Sequence, residues 1–314
     1  MRTLIGLSLP ALLTLAGCAT TFHAGAPKNM VDVIAHRGAS AYAPENTLAS
    51  FSKAIELKAD WFELDVHLTK DGQVVVTHDG NLERVAGIKK TVPEMTLAEI
   101  RQADAGAWFA KEFTGERFPT LDETLALAAK GRIGVYIEVK SDASDRQLLG
   151  GMLETASRHQ GSRNALLRAL MDQIEASRTP NLELTRKTIA LVRARHMKDQ
   201  VVIQSFSPVS CVVALAEAPE MRTEFLGGDD KDHPERWQQY LAFGHAVGVA
   251  GFNIDYDSVT AERIAAFHRD GKTCAVWTVD DPAAMRHCVE CGADAIISNK
   301  PDLLLSTLRE LGKR

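Results

Sequence analysis

From residue 31 onward the chain alternates between two periods. Short apolar, β-rich runs occupy 31–35, 61–79, 133–139, 201–206, 223–226, 249–254, 273–279 and 294–298. Between them, apolar residues recur at helical spacing over 47–58, 120–129, 207–217, 233–246, 258–270 and 282–291. Repeated strand–helix alternation argues for a parallel sheet with helices outside. Roughly eight such units fit a (β/α)8 TIM barrel. An open, doubly wound sheet is the alternative, but no G-x-G-x-x-G or Walker A sequence marks a nucleotide crevice. One stretch breaks the rhythm. Residues 141–199 are helical, mildly basic and without a strand, and read as a solvated helical insertion, with Arg178-Thr179-Pro180 separating two of its helices.

The run 61–79, WFELDVHLTKDGQVVVTHD, reads as a β-hairpin. Asp71-Gly72 is its two-residue turn, because Gly tolerates a positive φ. That turn places Asp65 opposite His78. Side chains alternate along a strand, so Glu63 and Asp65 share a face, and the cross-strand His78 shares it too. Ionisable groups are costly in an apolar strand unless something pairs with them. Two carboxylates and an imidazole on one patch therefore outline an acid/base or metal site. His67 continues on that face and is read as a supporting or surface residue.

Barrel enzymes build their sites at the carboxyl ends of strands. His36 and Arg37 follow the first strand directly. Alternation in 133–139 puts Tyr136, Glu138 and Lys140 on one face, and Trp277 falls late in 273–279. The helix at 47–58 starts after Pro44, with Asn46 or Thr47 as its N-cap. Thr96–Glu99 and Thr120–Glu123 are capping boxes that open two further helices. The aromatic stretch 106–118 reads as a lid over a pocket or as a packed surface loop.

The amino-terminal end changes the picture of where the chain resides. Arg2, an apolar run over 4–15 and Leu15-Ala16-Gly17-Cys18 resemble a bacterial lipoprotein signal, too short to span a bilayer. The expected organisation is a signal peptide at 1–17, a lipidated Cys18 beginning a tether at 18–30, and a catalytic barrel at 31–314. Ala19 fits an outer-membrane address facing the periplasm. Composition adds little: 45% hydrophobic, 25% charged, net charge −5, an ordinary globular balance and an acidic one that argues against nucleic-acid binding. Beyond Cys18 the cysteines are Cys211, Cys274, Cys288 and Cys291. A lone C-x-x-C on one helix face reads as buried thiols.

In order along the chain stand HRG at 36–38, PENT at 44–47, ELDV at 63–66, HD at 78–79, PTLDE at 119–123, IEVK at 137–140, SF at 205–206, WTV at 277–279 and GADAIISNKP at 292–301. Together they resemble the glycerophosphodiester phosphodiesterase family, whose fold is a TIM barrel. The resemblance implies hydrolysis of a glycerophosphodiester to sn-glycerol 3-phosphate and an alcohol. It implies His36 and His78 as the acid/base pair, and Glu63, Asp65 and Glu138 as ligands of a divalent cation, Ca2+ or Mg2+. It implies Arg37 and Lys140 on the phosphate and Trp277 on the glycerol side. A lipid-anchored enzyme could also act on lysolipids in the manner of a lysophospholipase D. A silent binding barrel would have lost one of these groups, and none is lost. The chain departs from the family pattern in the length of 141–199 and in Ser298-Asn299, where Thr-Asp is frequent.

Overall fold

The computed structural model describes residues 30–229 and 232–314. Its strands are β1 (Asp32–Ala35), β2 (Trp61–Leu68), β3 (Val74–Val76), β4 (Asn81–Leu82), β5 (Ile88–Thr91), β6 (Gly134–Val139), β7 (Val201–Ser205), β8 (Arg222–Gly227), β9 (Gly251–Asp255), β10 (Thr273–Trp277) and β11 (Ala295–Ser298). Its α-helices are α1 (Leu48–Glu56), α2 (Glu83–Ala86), α3 (Leu97–Ile100), α4 (Leu121–Gly131), α5 (Asp145–Arg158), α6 (Arg163–Ser177), α7 (Pro180–Ala194), α8 (Pro208–Glu217), α9 (Pro234–Val247), α10 (Ala261–Arg269), α11 (Pro282–Cys291) and α12 (Pro301–Glu310). The expected signal peptide, Cys18 and all of the expected tether except Met30 lie outside the described residues. Among the described residues no helix is long and apolar enough to cross a membrane.

Strands β1, β2 and β6 to β11 run parallel, and β1 pairs with both β2 and β11, which closes the barrel. Outward-facing residues such as Val33, Phe62, Leu64, Val135, Ile137 and Phe252 pack with helix residues such as Phe51, Leu125 and Leu304 in one continuous core. Inward-facing Ile34, Tyr136, Val202, Ala275, Ala295 and Ile297 form a separate cluster, with Trp61 and Trp277 against it. The interior is thus a packed plug.

The structure corrects two expectations. First, β3 pairs with β2 one residue out of the expected register: Val66 faces Val76, His67 faces Val75 and Leu68 faces Val74. Asp65 therefore lies beside Thr77, whose N–H donates to the Asp65 carbonyl (3.0 Å), and not opposite His78. The turn holds three residues, Lys70, Asp71 and Gly72, between Thr69 and Gln73. Thr69 N–H donates to the Gln73 carbonyl and Gly72 N–H to the Thr69 carbonyl (both 2.9 Å). Gly72 takes φ +70°, the left-handed residue that a three-residue hairpin loop requires. A one-residue slip reverses every face.

Second, the 141–199 insertion is not merely solvated. Helices α5, α6 and α7 all fall between β6 and β7. Met152, Leu166, Leu167, Leu170, Ile174, Leu184, Ile189 and Val192 are buried in the main core. Its apolar residues recur at helical spacing on each helix, which lets the segment extend the core around α8 and α9.

Residues 80–119 form an outlying layer with its own small core of Val75, Leu82, Val85, Val92, Met95, Ile100 and Phe118. The capping boxes at Thr96 and Thr120 form as expected, and Thr47 rather than Asn46 caps α1. Cys211, Cys274 and Cys288 are buried free thiols, and Cys291 is a half-buried one.

Candidate active site

The carboxyl ends of the barrel strands open into a cavity of about 190 Å³. Its walls include His36, Arg37, Glu63, His78, Glu138 and Lys140, facing Gln204, Phe206, Leu226 and Trp277. Glu63 and Asp65 project inward from β2 and Glu138 from β6, in a register that sets Asp65 beside Glu138. Each is at most 8% exposed. One oxygen of each lies within 4.8 Å of the others.

Three carboxylates so close repel one another. Burial, reinforced by Asp65 and then Glu138, drives the Glu63 carboxyl well above its ordinary pKa. Burial and the Asp65 charge push Glu138 up to about 7, against the pull of Lys140. Asp65 goes the other way: burial opposes its charge, but Lys140 and Arg37 hold its carboxyl well below the usual range. Lys140 Nζ lies 2.7 Å from Glu138 Oε1 and 3.3 Å from Asp65 Oδ1. Arg37 Nε lies 3.5 Å from Asp65 Oδ2.

Local backbone geometry aims these groups. Arg37 adopts φ +53°, which turns its backbone N–H onto Glu63 Oε2 (2.9 Å). Gly38 follows at φ +80°, where a Cβ would meet Ser50 atoms at 2.4–2.7 Å, so the HRG glycine is required by close approach to α1. Asn46 also sits at positive φ (+57°), a conformation asparagine tolerates. Its Nδ2 donates to Asp65 Oδ2 (2.8 Å), and its Oδ1 accepts from the Asp65 N–H (3.2 Å). That engagement leaves the capping of α1 to Thr47.

The two histidines are held differently. His36 Nδ1 lies 2.7 Å from Asn299 Oδ1. Asn299 Nδ2 donates to Asp280 Oδ2 (2.5 Å), which fixes the amide orientation and makes His36 Nδ1 the donor. Burial and the neighbouring Arg37 lower the His36 pKa to about 4, so the ring is neutral with Nε2 free to accept. His78 lies beyond β3, so strand pairing does not bring it to the cavity. His67 Nε2 donates to its carbonyl (3.1 Å), and His78 Nδ1 donates to Asp79 Oδ1 (2.8 Å). Burial lowers its pKa too, with Asp65 pulling against that shift.

The loops after β6 and β7 are braced by Asp145, the first residue of α5. It accepts from Thr179 Oγ1 (2.9 Å), Asn181 Nδ2 (2.6 Å) and Ser207 Oγ (2.5 Å). Asn181 Nδ2 also reaches the Lys140 carbonyl (3.1 Å). The insertion thus steadies the backbone of Lys140 and the loop that carries Phe206. Phe206 meets Trp277 edge to face, with ring centroids 5.5 Å apart, and Trp277 Nε1 donates to the Asn253 carbonyl (3.1 Å).

All eight site residues expected in the barrel line this cavity or, for Asp65, lie directly beneath it. Asp79, Arg84, Asp280, Asn299 and Phe206 also belong to the constellation, as does Asn46, which holds Asp65 instead of capping α1. HD, SF and Asn299 were visible as motif letters. Arg84 and Asp280 carried no local signal at all. The hairpin face and the strand-end positions were the usable clues. Cys18 lies outside the described residues.

A parallel barrel with buried acids, cations and two imidazoles around one strand-end cavity has the layout of a TIM-barrel enzyme. The model of the "Glycerophosphoryl diester phosphodiesterase family" matches residues 36–159 and 151–303, two segments that overlap at the end of α5. A "Probable glycerophosphodiester phosphodiesterase 1" of Mycobacterium tuberculosis is 49% identical over 86% of this chain and 89% of its own length. A "Glycerophosphodiester phosphodiesterase" of Caldanaerobacter subterraneus is 32% identical over 89% and 98%. A solved Oleispira antarctica phosphodiesterase, in complex with the product sn-glycerol-3-phosphate, superposes with TM-score 0.72 at 25% identity over 89% of this chain and 97% of that one. The chain belongs to the glycerophosphoryl diester phosphodiesterase family.

Proposed function

We propose that the chain hydrolyses glycerophosphodiesters to sn-glycerol 3-phosphate and an alcohol, using a divalent cation held by Glu63, Asp65 and Glu138. The observation that carries this reading is the buried carboxylate triad, with one oxygen of each acid within 4.8 Å of the others. Oxygen donors of this kind suit a hard cation, Ca2+ or Mg2+. When bound, such a cation neutralises phosphate charge and acts as a Lewis acid.

The chain's own groups supply the rest. Arg37 meets phosphate oxygens in a forked geometry, and Lys140 acts as a compact charge. One imidazole, neutral, takes the proton from the attacking oxygen, of water or of the glycerol hydroxyl, and the other, entering as imidazolium, gives a proton to the departing alkoxide. Each ring keeps its Nδ1–H, so Nε2 is the proton-transfer atom, bare on the base and protonated on the acid. Trp277 and Phe206 wall the glycerol side. Phe206 is 39% exposed, which supports a second reading in which an acylated glycerol extends outward along it, as in lysophospholipase D activity.

Protein lacking residues 1–18 should release sn-glycerol 3-phosphate from glycerophosphocholine and lose that activity in EDTA. Turnover of lysophosphatidylcholine alone would favour the second reading; hydrolysis of neither would overturn both. We further propose that residues 1–17 are removed and that Cys18 is acylated, which places the enzyme in the cell envelope at the periplasmic face of the outer membrane. Mass spectrometry of the mature amino terminus tests this: an unmodified Cys18 would contradict it.

A further inference from the structure

Arg84 stands on α2, in the outlying layer between β3 and β6, five residues after Asp79. Its guanidinium binds two acids at once. Nε donates to Asp79 Oδ2 (2.7 Å), Nη1 to Glu45 Oε2 (3.0 Å) and Nη2 to Glu45 Oε1 (2.6 Å). Each acid has a second partner in the cavity wall. Asp79 Oδ1 accepts from His78 Nδ1 (2.8 Å), and Glu45 Oε1 accepts from Arg37 Nη1 (3.1 Å). The links form one chain: His78, Asp79, Arg84, Glu45, Arg37. Behind Arg84 lies the indole of Trp108, 5.8 Å from the guanidinium carbon.

The seat of Trp108 is built rather than accidental. Asp104 Oδ1 accepts from the Gly106 and Ala107 N–H groups and Oδ2 from the Gly115 N–H, all at 2.8 Å. Trp108 Nε1 donates to the Ala105 carbonyl (2.9 Å). Phe109 and Phe113 stack edge-on behind it. A cation over an indole face is attracted by the ring quadrupole. The loop therefore holds Arg84 by its face while Glu45 and Asp79 hold it by its edge.

We propose that Arg84 is a positioning residue for the reaction, fixing the proton-transfer ring of His78 through Asp79 and the phosphate-binding fork of Arg37 through Glu45. The proposal rests on the functional reading above. A forked guanidinium grips both carboxylates through three nitrogens in fixed directions; a lysine offers a single ammonium and cannot reproduce those three directed contacts. Burial opposes ionisation of Glu45 and Asp79, yet Arg84, with Arg37 and His78 respectively, holds both below the ordinary carboxylate range. Both acids therefore stay charged and accept from their second partners. The outlying layer, remote from the barrel interior, thereby acts on both of the site's chemical functions.

The test compares full-length wild type with Arg84→Ala and Arg84→Lys. Nitrogen-15 spectra of the histidine rings read the His78 tautomer without any turnover, so this arm stands even if the functional reading fails. Wild type should show a single Nδ1–H tautomer for His78, and both variants a mixture. In hydrolysis of glycerophosphocholine, Arg84→Ala should lower kcat about tenfold or more and raise KM severalfold, and Arg84→Lys should not restore either. Arg84→Ala combined with Asp79→Asn should lower kcat no further than Asp79→Asn alone. An unchanged His78 tautomer in folded Arg84→Ala, kcat and KM within twofold of wild type, or full rescue by Lys would overturn the proposal.

Discussion

At the amino end of the barrel, Asp32, Trp61, Arg222 and Thr273 open β1, β2, β8 and β10. There Arg222 donates to Glu224 and to Thr273, and Trp61 Nε1 donates to Asp32 Oδ2 (3.2 Å). At the carboxyl end, two cations, Arg37 and Lys140, stand among three acids under an open cavity. The residue types are alike and the outcomes differ. At the amino end the guanidinium spans its carboxylate and a neighbouring hydroxyl in place. At the carboxyl end the acids outnumber the cations and are stacked close enough to raise two of their pKa values. The amino-end pair answers only part of the cost of burial, since Glu224 Oε2 has no partner and burial with Asp60 raises the Asp32 pKa, whereas three close acids under an open cavity favour a proton or a cation. The fold tolerates that crowding where ligand chemistry can meet it.

Substitutions can break this comparison in opposite directions. Glu138→Gln relieves repulsion, so it is expected to remove activity by roughly 10³-fold while leaving the thermal midpoint unchanged or higher. His36→Ala should cost roughly 10²- to 10⁴-fold in kcat with the fold retained, as read by circular dichroism and steady-state kinetics. Glu224→Gln strands Arg222 and should do the reverse. We expect about 3 kcal/mol of lost stability in urea, near the low end for a broken buried pair because the Arg222 side chain is 31% exposed. Activity per folded molecule should stay near wild type. Equal stability losses at the two ends would erase the distinction.

Acid sharpens it next. The folded pKa of His36, about 4, lies below its ordinary value of 6.5, so the unfolded chain takes up the proton first. The stability linked to His36 is therefore complete above pH 6.5, falls between 6.5 and about 4, and is level below that. Urea midpoints measured across this range should fall more steeply for wild type than for His36→Gln; parallel curves would contradict the burial argument. The smallest effect is expected at the glycerol wall. Phe206→Ala should raise KM a few-fold with kcat little changed, since it removes contact rather than charge.

The hydrophobic periods alone disclose the barrel, because eight strand–helix units leave few alternatives. Glu63, Asp65, Glu138 and Lys140 are legible for a related reason: an ionisable residue late in an apolar strand has nowhere to go except the site. The hairpin register is less legible. Asp71-Gly72 supports a two- or a three-residue loop, and only Thr69, through its bonds to Gln73, decides between them. His78 reaches the cavity after the strand has ended, and not through cross-strand pairing with Asp65. Arg84 reaches Glu45, and Asn299 reaches His36, across long separations in sequence, and no local pattern marks such partners. The buried faces of α6 and α7 were present as apolar periodicity, but their charged opposite faces suggested a solvated segment.

In the proposed reaction a divalent cation relieves the repulsion among Glu63, Asp65 and Glu138. Calorimetric titration of Ca2+ and of Mg2+ into the protein near pH 6, in two buffers of different ionisation enthalpy, tests it most directly. Wild type should bind one cation per chain and release protons, because Glu63 and Glu138 are pushed toward the protonated form without it. Glu63→Gln and Glu138→Gln should each weaken that binding strongly. Binding unaltered in both variants, or no binding of either cation to the wild type, would contradict the account.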